Sequence, residues 1–190
     1  METPPQAKTS PASPPPSPTP PGRAARVPVE LRDLDMRIAS DGTWYYRGSP
    51  INRPALVKLF ASVLRRESDG LYWLVTPAER GRVVVEDAPF VAVALDIEGE
   101  GRNQRLIFRT NLDEIVAAGA AHPLRVETAA DGTPSPYILV RPGLEARIAR
   151  PVFYELADLG IEETSDGETK FGVWSDGVFF ELGDPGEDEA

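Results

Sequence analysis

The sequence predicts an α+β protein made of two tandem, similar units of antiparallel β-hairpins with short helices. Three observations carry this. First, YWLVTPAERGRV at 72–83 returns as YILVRPGLEARI at 137–148. Tyr72, Leu74, Val75, Pro77 and Arg82 are matched, without a gap, by Tyr137, Leu139, Val140, Pro142 and Arg147. Second, the elements leading into each copy follow one order: a strand, an arginine, a helix, a hairpin. Third, the apolar period alternates between two and 3.6 along the chain, with no βαβ series of the kind a doubly wound sheet needs. A duplicated unit of this size buries little core unaided, so the two units are expected to pack together.

In chain order, residues 1–26 open with METPPQAKTSPASPPPSPTPPG, which holds nine prolines. Such a stretch cannot bury enough apolar surface to offset its ordering entropy and is expected to be a disordered, partly polyproline-II tail. The N-terminal unit spans 27–88. DGTWYYRGS reads as a turn at Asp41-Gly42 followed by an aromatic strand. In NRPALVKLFASVLRRE, Leu56, Val57, Leu59, Phe60, Val63 and Leu64 fall at helical spacing. Asn52 is the expected N-cap, with Pro54 in the first turn, where its missing N–H costs nothing. LYWLVT and RVVVED then alternate as a hairpin.

The C-terminal unit, 89–183, carries extra hairpins. VAVALDIEGEGRNQRLIFR alternates on both arms around Glu98-Gly99-Glu100-Gly101. A helix is expected over NLDEIVAAGAA, capped by Thr110 or Asn111 with Asp113 and Glu114 in its first turn. The second copy of the repeated hairpin turns at Pro142-Gly143, as a type II turn requires. A helix through Phe153, Leu156 and Leu159 ends at Gly160. KFGVWSDGVFFEL closes the unit as a hairpin turning at Asp176-Gly177. Residues 184–190 are expected to be a disordered acidic tail.

Composition narrows the chemistry. With no cysteine among 190 residues, disulfides and thiolate chemistry are excluded. No apolar run has the length of a membrane span and no secretion signal is evident, so a cytoplasmic location without membrane insertion is expected. The net charge of −10 is concentrated at the C-terminal end, and the rest shows no basic stripe, which argues against nucleic acid. The one histidine, His122, reads as a loop residue. Ser49 in RGSP is turn chemistry rather than a nucleophile elbow. No metal-ligand spacing or phosphate-binding glycine loop is present, so neither a metal nor a cofactor is expected.

Two constellations remain. Glu86 and Asp87 close a strand, and such a pair serves acid–base work if one carboxyl is raised; the plainer reading pairs them with arginine. Arg47 and Arg109 occupy what look like equivalent strand ends, with Arg53 at the first helix start. Their rigid forks suit a carboxylate or phosphate between the units, or hold the units in register against the acids. Trp44 and Tyr46 would wall such a groove or sit in the core.

DGTWYYRGSPINRPALVKLF, GLYWLVTPAERGRVVVEDAPF and FGVWSDGVFFELG resemble the uncharacterised proteobacterial domain-of-unknown-function family 1285 over about residues 30–183. The resemblance implies a duplicated core and a C-terminal half superficially like pleckstrin-homology folds. It also implies a ligand site where the halves meet and a link to signal transduction, but no activity. The expectation is therefore a non-enzymatic binding or sensing module. It would hold a small molecule, anionic by the arginine argument, or a protein segment. The alternatives are a hydrolase using Glu86 or Asp87 with water, and an adaptor that recruits partners by β-addition. Oligomeric state is not legible.

Overall fold

Fifteen strands and two α-helices follow one another in the computed structural model, which describes residues 29–130, 132–165 and 167–183. The Pro-rich tail expected over 1–26 and the acidic tail expected over 184–190 lie outside the described residues.

The N-terminal unit holds β1 (Val29–Ile38), β2 (Trp44–Tyr46), β3 (Ser49–Pro50), α1 (Pro54–Val63), β4 (Leu64–Arg66), β5 (Tyr72–Val75) and β6 (Glu79–Val85). They form one sheet in the order β3-β2-β1-β6-β5-β4. The second unit holds β7 (Phe90–Glu98), β8 (Arg105–Thr110), β9 (Ile115–Ala117), β10 (Leu124–Thr128), β11 (Pro134–Arg141) and β12 (Leu144–Ile148). Its order is β10-β11-β12-β7-β8-β9, the first sheet read from its other end. In both sheets the first strand lies parallel to the last, β1 beside β6 and β7 beside β12, and every other pairing is antiparallel. The tandem-unit α+β architecture is thus present as two similar six-stranded sheets. The parallel central pairs were not expected, because partners some fifty residues apart leave no local pattern.

The repeated phrase is real, but its gap-free alignment slips by one residue in the strand. Cross-strand register places Trp73 opposite Arg82, and Tyr137 opposite Arg147. Tyr137 therefore corresponds to Trp73, not to Tyr72. A bulge between Leu139 and Arg141 absorbs the extra residue before the Pro142-Gly143 turn.

α1 begins one residue later than expected. Arg53, not Asn52, is the N-cap; it is held extended (φ −119°, ψ 96°) and makes no side-chain cap bond, as a residue preceding proline prefers. The helix expected over 111–121 does not form. Thr110 Oγ1 does accept N–H groups from Leu112 (3.3 Å) and Glu114 (3.1 Å). Asp113 then turns left-handed at φ 63°, which ends any helical path, and β-branched Ile115 and Val116 enter β9.

α2 (Arg150–Ala157) follows β12 and packs on β7. A third sheet, β13 (Ile161–Ser165), β14 (Glu168–Ser175) and β15 (Val178–Glu181), closes the second unit. Its last turn has Asp176 at φ 50° and Gly177 at φ 74°, the type I′ geometry that Asp-Gly favours. Fully buried Ser175 ties this sheet down: its Oγ accepts from Leu106 N (2.9 Å) and donates to Ala118 O (2.7 Å). One buried apolar cluster runs through both units, joining Met36, Trp44, Val57 and Leu74 with Phe90, Phe108, Ile138 and Ile148.

Candidate functional site

A cleft of about 820 Å³ opens in the N-terminal unit between β1, the β2–β3 turn and α1. Its floor is apolar, with Leu34, Met36, Ile51, Leu56, Phe60 and Leu74; Asp33, Asp35, Tyr46 and Arg47 form its rim. Two local features build it. β1 takes five steps from Leu31 to Met36 while β6 takes two from Gly81 to Val83, so β1 bulges. Leu34 folds into the space over Gly81, where even a methyl group would overlap it. Opposite, Arg47 and Gly48 occupy a tight turn at φ 49° and 75°. The left-handed region costs a non-glycine residue roughly 1–2 kcal/mol. Arg47 and Asp35 (φ 53°) both sit there and are joined by Arg47 N donating to Asp35 O at 2.9 Å.

The structure separates the residues singled out from sequence. Tyr46 and Arg47 line the cleft, Tyr46 44% exposed with the Arg47 guanidinium 5.1 Å from its ring centroid. Trp44 is core, 1% exposed and stacked on Phe60. Arg53 is exposed at the head of α1 and is not among the residues lining the cleft. Glu86 pairs with Arg37 and accepts Ser40 N at 3.1 Å. Those contacts, the arginine first, hold its carboxyl below the usual range, the reverse of what water activation needs. Asp87 accepts the Tyr137 hydroxyl (2.7 Å) and pairs with Arg147 (3.4 Å). Arg109 lies within β8 and pairs with Asp113 (3.7 Å).

Arg47 and Arg109 are not equivalents. Met36 faces Tyr46 and Ala92 faces Thr110, while Val83 and Ile148 tie Met36 to Ala92. The counterpart of Arg47 is therefore Asn111. In the second unit that residue is a bolt: its N donates to Val91 O (2.7 Å), its Oδ1 accepts Val91 N (3.0 Å) and its Nδ2 reaches Gly42 O (3.4 Å).

Asp87, through Tyr137 and Arg147, bridges the seam between the units, and Lys58 and Arg141, neither of them a candidate from the sequence, bridge it too. Lys58 Nζ meets Asp113 Oδ2 at 2.6 Å. Arg141 donates to Ala61 O at the end of α1 (2.9 Å) and to Glu114 (3.1 Å), with its guanidinium over Phe90. Arg141 stands just before a turn, where the first copy has Thr76, so comparison of the copies gave no signal. Beside the seam, Arg125 grips Glu145 with two bonds (2.6 and 2.7 Å) and lies over the Tyr137 ring. Among the described residues no group of three or more His, Cys, Asp and Glu could hold a metal, and no helix is long and apolar enough to cross a membrane.

Burial first, and the Asp87 hydrogen bond second, push the Tyr137 hydroxyl up to about 12 from 10.0. The fold therefore favours the neutral phenol. That contribution is complete below pH 10 and is lost as pH rises toward 12, where the unfolded chain ionises first. An absorbance titration at 295 nm should show a late-ionising tyrosine that Tyr137→Phe removes. An unchanged titration in the variant would contradict the assignment.

Two family models match the chain: the N-terminal domain of DUF1285, a domain of unknown function, over residues 25–88, and the C-terminal domain of the DUF1285 protein of unknown function over 89–182. No curated protein matches. A crystal structure of a DUF1285 family protein from Silicibacter pomeroyi DSS-3 is similar, with a TM-score of 0.76 and 49% identity over 87% of this chain and 88% of that one. Another, from Shewanella baltica OS155, has a TM-score of 0.51 and 27% identity over 66% of this chain and 91% of its own. With both family models matched in tandem across the two sheets, the chain belongs to the DUF1285 family.

Proposed function

We propose that this protein is a non-enzymatic ligand-binding module whose site is the cleft of the N-terminal unit. The observation that carries the reading is the divergence of two equivalent positions. Asn111 is consumed in structural hydrogen bonds, whereas Arg47 stands in a strained turn over an apolar floor, with its guanidinium beside the Tyr46 ring and in no ion pair among the described residues. Strain of this kind in a cleft is a pointer to function, and an apolar pocket with a few polar groups at its mouth is the usual form of a small-molecule site. The seam is a weaker candidate, because Arg141, Lys58, Asp113 and Glu114 already engage one another there. A pleckstrin-homology-like character for the C-terminal half belongs to this reading too, supported by α2 packed against a largely antiparallel sheet; so does a sensing role in signal transduction.

A thermal-shift screen over metabolites and nucleotides tests the reading. A stabilising ligand should lose its effect in Leu56→Lys, which puts a charge on the cleft floor, with far-UV circular dichroism unchanged. A ligand that stabilises the variant equally would place the site elsewhere and overturn the proposal.

A further inference from the structure

We infer that the cleft receives a zwitterion with an apolar body, its carboxylate on Arg47 and its ammonium between Asp33 and Asp35. This rests on the reading of the cleft as the binding site and adds the chemical class of the occupant.

The second unit lacks the features that build this rim. There the parallel pair takes equal steps, Phe90 to Ala92 beside Ala146 to Ile148. In the first unit the same pairing carries the bulge that supplies Asp33 and Asp35. The second unit also has neutral Asn111 where the first has Arg47. All three rim charges are thus peculiar to the unit that has the cleft. None of them takes part in an ion pair among the described residues, although both signs share one rim. The Arg47–Asp35 backbone bond at 2.9 Å ties the turn to the bulge. It fixes the spacing of the two lips through the backbone alone; of the side chains, Asp33 Oδ1 accepts the neighbouring Asp35 N (3.4 Å) and the Arg47 guanidinium lies by the Tyr46 ring.

The donor and acceptor inventory then selects the ligand. A guanidinium presents a planar fork that matches a carboxylate, and an ammonium has three donors, more than one carboxylate satisfies. Two carboxylates and one guanidinium suit one ammonium and one carboxylate. The floor of Leu34, Phe60 and their neighbours takes the apolar body. Large apolar amino acids and short apolar peptides with free ends have this chemistry.

Calorimetric titration of the full chain with four forms of one dipeptide tests the inference: Leu-Phe with free ends, its N-acetyl form, its amide, and the doubly blocked form. The free dipeptide should bind about tenfold more tightly than either singly blocked form, the scale of one charge-assisted hydrogen bond. Arg47→Gln should weaken the two probes with a free carboxylate and leave the amide unchanged. The Asp33→Asn, Asp35→Asn double variant should do the converse with the free amine. Equal binding of all four, abolished by Leu56→Lys, would overturn the zwitterion while leaving the cleft as an apolar site. Binding by none of the four would overturn the zwitterion as well, and the metabolite screen decides separately whether the cleft binds anything.

Discussion

Cutting Phe90 back to alanine should lower stability by about 3–5 kcal/mol, the range for losing a large buried aromatic, and should bring down both six-stranded sheets in one transition. Phe90 is 0% exposed and opens β7 at the junction of the units. Its ring lies in the buried cluster that includes Met36 and Leu74 of the first unit and Ile138 and Ile148 of the second. Its other side supports the Arg141 guanidinium, 5.2 Å from the ring centroid, which bonds Ala61 O across the seam. Removing the ring leaves a cavity and also loosens that clamp. Urea unfolding followed by circular dichroism and by tryptophan fluorescence should give coincident curves for the native chain and the variant. Two separated transitions would mean that the halves do not share a core. Val93→Ala, on the same strand but 42% exposed, should stay within about 0.5 kcal/mol of the native chain.

Gly172→Ala should detach the third sheet. Gly172 sits mid-strand in β14, paired with Ile161 on one side and Glu181 on the other. A methyl group there would overlap the backbone oxygen of Phe180 and crowd the Phe179 ring. A backbone obstacle cannot rotate aside, so β14 and β15 must shift, at a cost of about 1–3 kcal/mol for overpacking or more. The shift would pull Ser175 from Leu106 N and Ala118 O, leaving buried polar groups unsatisfied. Amide exchange should rise in 161–181 while β1–β6 keep their protection. Uniform loss across the chain, or none, would show that the third sheet is not a separable layer.

What the sequence made legible is what local chemistry specifies. Asp176-Gly177 and Pro142-Gly143 mark their turns because few residues tolerate those backbone angles. The stripe from Leu56 to Val63 marks α1. The failures share a cause in tertiary context. Leu112, Ile115 and Val116 fit a helical stripe as well as a turn and a strand, and only Asp113, drawn left-handed beside Lys58, decides between them. The one-residue slip between Tyr72 and Tyr137 is invisible without cross-strand register, because the bulge before Pro142 restores the match. The candidate cleft was half legible. Tyr46 and Arg47 stand out in the sequence as an aromatic and an arginine at a strand end. Asp33 and Asp35 carry no sequence signal, because their place depends on a bulge defined only by β6, fifty residues away.

Each sheet has the opening and closing strands of its unit at the centre, so its rims are made by strands from the middle of that unit. The passage from one rim to the other, β3 to β4 or β9 to β10, crosses no hydrogen-bond ladder. One copy spends it on a ten-residue helix and the other on a few turns. That passage is therefore the part of the architecture freest to be lengthened, shortened or replaced over evolutionary time, and new binding surfaces have the most room to arise there.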